Sequence, residues 1–97
     1  MFKIRFTKEA EKQLLELKNT KSKQRQYKAV GKVIGYMHVN LRHPSLNTHK
    51  FDSLKSPFEG GVFESYAQNK TPGAYRIFWI YGPEKREITI LAITPHP

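Results

Sequence analysis

The chain has 97 residues and a mass of 11.3 kDa, room for one domain spanning residues 1–97 and one modest core. Seventeen Lys and Arg against eight Asp and Glu leave a net charge of +9, a balance that suits polyanionic partners. The lack of cysteine excludes thiolate catalysis, zinc fingers and disulfide scaffolds. The opening MFKIRFTKEAEK mixes charge with apolar residues, and no later run approaches the roughly 20 apolar residues that span a bilayer. A cytoplasmic protein without a membrane partner is expected.

Phe2, Ile4 and Phe6 alternate with Lys3 and Arg5, which predicts a short half-buried strand. Thr7 then offers an N-cap, with Glu9 and Glu11 in the first turn, where the helix dipole favours negative charge. The first helix is predicted over Lys8 to Lys18, burying Ala10, Leu14 and Leu17. A second is expected from about Ser22, with Tyr27, Val30, Ile34, Met37 and Leu41 forming one stripe until Pro44 ends it. The short connection makes the two a helical hairpin.

Pro44 to Gly61 reads as a long loop with one extended piece near His49 to Leu54. Three strands follow, Val62 to Gln68, Ala74 to Tyr81 and Glu87 to Thr94, separated by Asn69 to Gly73 and Gly82 to Lys85. Hairpin connections make these strands antiparallel. Residues 77–81 are unbroken apolar and aromatic, which places that strand in mid-sheet. The predicted architecture is α+β, an N-terminal strand and helical hairpin packed on a twisted antiparallel four-stranded sheet in the order βααβββ. Two helices cover one face of such a sheet, so the other is left for a ligand or a partner.

The charge is divided unevenly. Residues 1–50 carry twelve Lys and Arg against three Glu, whereas residues 51–97 carry five of each sign. The helical half holds the whole excess.

Taken together, the strand-helix-helix start, HPSLNTHKFDSLK at residues 43–55, AYRIFWIY at 74–81 and ILAITPHP at 90–97 resemble the RelE/ParE superfamily of type II toxin-antitoxin toxins. The resemblance runs along the whole chain, and the ending is most similar to YoeB- and HigB-like members. It implies either of two activities, cleavage of mRNA in the ribosomal A site or inhibition of DNA gyrase. In the nuclease branch an arginine in a Tyr-Arg-hydrophobic strand contacts the scissile phosphate, which corresponds to Arg76 after Tyr75. A histidine beyond the last strand takes part in proton transfer, and His96 stands there. Two features depart from the pattern. Glu64 and Tyr66 occupy the strand that carries a lysine pair in RelE-type members, and no tyrosine follows His96. The resemblance also implies a cognate antitoxin, the ribosome and mRNA as partners, and promoter DNA reached through the toxin-antitoxin complex.

The residues themselves support that chemistry. RNA can be cut by its own 2′-OH, provided the protein supplies a base, a cation for the phosphate and an acid for the leaving 5′-oxygen. Glu64, Arg76 and His96 make such a set, with His49 as an alternative base and Arg76 suited to phosphate by its planar fork. Lys50 and Lys55 offer phosphate contacts, and Tyr66, Tyr75 and Tyr81 offer stacking surfaces for bases. A purely structural alternative is a cross-strand pair between Arg76 and Glu64. A non-catalytic RNA-binding module on the same fold is the third functional reading. The sequence has no phosphate-binding glycine loop and no His/Asp/Glu metal spacing, so no cofactor is expected.

Overall fold

The computed structural model describes residues 1–51, 60–69 and 71–96. Strand β1 (Lys3–Phe6) leads into helices α1 (Lys8–Asn19) and α2 (Gln24–Val39), followed by β2 (His49–Lys50), β3 (Phe63–Tyr66), β4 (Tyr75–Tyr81) and β5 (Glu87–Pro95). The strands form one sheet in the order β1-β5-β4-β3-β2. The α+β class and the order of elements agree with the sequence-based expectation. β4 lies in mid-sheet between antiparallel neighbours, as its apolar run requires.

Two features of the expected sheet need correction. It is mixed rather than antiparallel, because β1 runs parallel to β5. Hairpins dictate direction only for strands that they join, whereas β1 reaches its neighbour after the two helices and the rest of the sheet. It also has five strands rather than four, since His49–Lys50 adds a short edge to β3. That edge falls within the extended piece expected near His49 to Leu54.

Thr7 caps α1 as its sequence suggests, its hydroxyl accepting the Ala10 N–H at 3.1 Å. The same hydroxyl donates to Leu91 O at 2.9 Å, and the Thr7 N–H donates to Ile90 O at 3.0 Å. One residue thus starts the helix and fastens it to the sheet. Opposite this anchor the β4–β5 register shifts: Phe78 faces Ala92 and Trp79 faces Ile90, leaving Leu91 as the extra residue of a bulge. The bulge changes the parity of β5. Ile88 and Ile90 before it and Ile93 after it all enter the core.

Helix α2 ends at Val39, earlier than expected from Pro44. Asn40 accounts for the stop: its N–H donates to Tyr36 O at 2.7 Å, and its side-chain oxygen accepts the Arg42 N–H at 3.0 Å, a local bond that competes with helix continuation. Leu41 therefore lies outside the helix yet remains buried, and Pro44 opens a 3₁₀ turn that buries Leu46. Val30, Val33 and Met37 of α2 pack with Ala10 and Leu17 of α1 against Ile77, Trp79, Ile88, Ile90 and Ile93. No helix among the described residues is long and apolar enough to cross a membrane.

The edge between β1 and β5 is fixed electrostatically. Burial of Glu87 works to raise its pKa, but the Arg5 Nε bond at 2.9 Å, the Glu84 N–H and the nearby Lys3 charge outweigh it and hold the carboxyl below its ordinary value. A carboxyl with a lower pKa folded than unfolded stabilises the fold above its unfolded pKa, and that contribution disappears as pH falls through the folded value. Urea denaturation at a series of acidic pH values should show stability falling as Glu87 protonates. Glu87→Gln should be less stable at neutral pH and should lack that acid-dependent component. In the core, Met37→Ala should cost about 2–5 kcal/mol by the same measurement.

Candidate active site

The β3–β4 register builds one face of the sheet into a polar cluster. Tyr66 lies opposite Arg76 and Glu64 opposite Phe78, while β2 sets His49 opposite Glu64. Ser65, Ile77 and Trp79 alternate to the face covered by helices. His49, Glu64, Tyr66 and Arg76, four of the residues selected from sequence, thus meet on the opposite face.

Arg76 is buried, and several groups define its position. Its Nη1 donates to Gln68 O at 2.7 Å and lies 3.3 Å from Tyr75 O and 3.4 Å from Ala74 O. The guanidinium carbon sits 3.8 Å from the centroid of the Tyr66 ring. Its Nε is 3.8 Å from Glu64 Oε2, close enough for ionic attraction but too far for a hydrogen bond. This Nε is buried with no hydrogen-bond partner among the described residues. The cross-strand pair foreseen as the structural alternative is therefore present only as an ion pair.

The other oxygen of Glu64 is occupied. Oε1 lies 2.6 Å from His49 Nε2, and His49 Nδ1 lies 3.1 Å from Asn47 O. A carbonyl oxygen only accepts, so Nδ1 must carry a hydrogen. The left-handed conformation of Asn47, at φ 47°, aims its carbonyl from the end of the 3₁₀ turn at His49.

His96 follows the last residue of β5, and its N–H donates to Ala74 O at 2.7 Å. That bond continues the pairing of Tyr75 with Pro95 and Arg76 with Thr94 by one step. The backbone of His96 thereby stands at the end of β4 toward which the Arg76 guanidinium turns.

The remaining candidates do not join this cluster. Lys50 pairs with Phe63 and Tyr81 packs on Phe63 and Trp79, so alternation places both on the helix-covered side of the sheet. Tyr75 is likewise buried there, its hydroxyl bonded to Lys23 Nζ at 3.2 Å. Gly61 has φ 76°, and a Cβ there would meet Lys50 Cε at 2.8 Å, so glycine lets the lysine stem pass. Lys55 lies outside the described residues. Sequence reasoning missed the carbonyls of Gln68 and Asn47. Backbone acceptors leave no trace in residue identity.

No family model matches the sequence, and no curated protein is recognisably similar to it. Solved structures are similar over nearly all of the chain. A YoeB/ParE toxin from Agrobacterium tumefaciens superposes with a TM-score of 0.71 at 10% identity, covering 99% of this chain and 100% of its own. The YoeB dimer from Staphylococcus aureus gives 0.64 at 15% identity, with 99% and 98% covered. The archaeal RelE-RelB complex from Pyrococcus horikoshii OT3 gives 0.64 at 14% identity, with 97% and 93% covered. The likeness at these identities is one of fold.

The hydrogen-bond network makes a checkable statement about the imidazole. In ¹⁵N NMR spectra of the histidine rings, Nδ1 of His49 is expected to carry a proton at neutral pH. A bare Nδ1 with the hydrogen on Nε2 alone would contradict the arrangement.

Proposed function

We propose that this chain, which has the RelE/ParE fold along nearly its whole length, is a type II toxin that cleaves mRNA on the ribosome. The observation that carries the reading is the buried Arg76 Nε, a charged donor without an acceptor among the described residues, beside a carboxylate and two histidine-bearing segments. Leaving such a donor unpaired costs stability, which is understandable where a ligand supplies the acceptor. A phosphodiester oxygen is an acceptor of the right charge, and Arg is the side chain that binds it with defined geometry.

The roles follow from position. Glu64, oriented through Oε1 by His49, takes the proton of the 2′-OH as that oxygen attacks the adjacent phosphorus. Arg76 stabilises the charge on the crowded phosphate. His96 donates a proton to the 5′-oxygen as the P–O5′ bond breaks, leaving a 2′,3′-cyclic phosphate and a free 5′-hydroxyl. The reaction needs no external nucleophile. His49 holds the base, and the Tyr66 ring lies over the guanidinium.

The comparisons and the charge also suggest a partner. RelE of Pyrococcus is seen in complex with RelB, and by analogy this chain is proposed to bind a cognate antitoxin through an acidic or amphipathic segment that answers its +9 charge. Promoter DNA would be reached through that complex.

Purified ribosomes programmed with mRNA test the activity. Arg76→Ala, Glu64→Gln and His96→Gln are each expected to slow cleavage by about 10²- to 10⁴-fold while leaving the circular dichroism spectrum unchanged. Full activity after both Arg76→Ala and His96→Ala would remove these residues from the mechanism. Inhibition of gyrase supercoiling with mRNA left intact would favour the gyrase reading instead.

A further inference from the structure

Two of the RNA-contact candidates that fell outside the catalytic cluster, Lys50 and Tyr81, lie on the same side of the sheet. Between the chain leaving α2 and the far ends of β3 and β4 is a cleft lined by Arg42, Asn47, Thr48, Phe63, Trp79 and Tyr81, among others. Its inner wall is rigid. Trp79 Nε1 donates to Ser65 Oγ at 2.8 Å, and Thr48 Oγ1 is bonded to the same oxygen at 2.7 Å, which locks the indole and the Thr48 segment together. Phe63 stacks on Trp79 with ring centroids 4.9 Å apart, and the Tyr81 ring meets both edge-on at 5.5 and 5.1 Å. Tyr81 is 42% exposed, one of few large apolar side chains left open to solvent among the described residues.

We propose that this cleft is a second subsite, which takes one base of a single-stranded RNA on the Tyr81 ring. The substrate class rests on the nuclease reading above; the cleft itself does not depend on catalysis. Stacking on an exposed, pre-oriented aromatic ring is how proteins hold unpaired bases. Arg42 is exposed and is the one formal charge among the described lining residues, which favours an anionic strand over an acidic-rimmed or purely apolar ligand. The Asn47 side chain supplies an amide, able to donate and accept, for a base edge.

Strand β2 connects the two sites. It is the wall between them: His49 points to Glu64 on the catalytic side, while Thr48 and Lys50 alternate to the cleft side. An RNA strand that crosses this short edge can run from Arg76 on one face to Tyr81 on the other, several nucleotides apart, with the exposed Lys50 beside the crossing.

An uncleavable 2′-O-methyl RNA tetranucleotide is the probe, and fluorescence of Trp79, the single tryptophan, is the readout. RNA should quench the indole saturably. Tyr81→Ala should weaken binding about five- to 100-fold, and Tyr81→Phe should restore it, since stacking needs the ring and not the hydroxyl. Arg76→Ala should retain the quenching. Wild-type affinity in Tyr81→Ala, or no saturable quenching by RNA, overturns the subsite. The two readings fail separately. Tyr81-dependent binding without ribosomal cleavage keeps the subsite and removes the nuclease, whereas Arg76-dependent cleavage with no effect of Tyr81→Ala on RNA binding does the reverse.

Discussion

The pairing of Tyr66 with Arg76 across β3 and β4 is the constraint on which the candidate site depends. It sets a guanidinium in a buried position, closes one side of it with an aromatic ring, and leaves its Nη1 to the carbonyls at the turn between the strands. The same register brings Glu64 within 3.8 Å of Nε without satisfying it. A one-residue slip would turn Arg76 and Glu64 into the apolar core and expose Ile77 and Ser65. Hydrophobic burial on one face thereby enforces the geometry of the polar cluster on the other.

Charge and chemistry occupy different parts of the molecule. The excess positive charge belongs to residues 1–50, while Glu64, Arg76 and His96 come from the neutral second half. His49 is the exception: the loop after α2 delivers it to the sheet edge, where it contacts Glu64. Such a division suits attraction to a polyanion over a broad surface, with the acid–base groups gathered in one part of the sheet.

Much of this was legible in the sequence. Thr7 and the acidic first turn marked α1, the unbroken apolar run marked the central strand, and residue type together with family resemblance selected Arg76, Glu64 and His49. Other features were not. The bulge at Leu91 reverses the parity of β5, so no reading of alternation could assign its faces along the whole strand. The parallel β1 depends on long-range packing, and Asn40 ended α2 through a side-chain bond that outranked the more conspicuous Pro44. Lys50 and Tyr81 carried the right chemistry for RNA, but the β2–β3 and β4 registers set them on the face away from Arg76.

The Nε–H of Arg76 is the most direct probe of the central claim. In ¹H–¹⁵N spectra of the arginine side chains, adding the uncleavable RNA should shift this one resonance and slow its exchange with water, as expected for a buried donor that has gained a phosphate oxygen. An Arg76 Nε–H signal unmoved at saturating RNA would contradict the account.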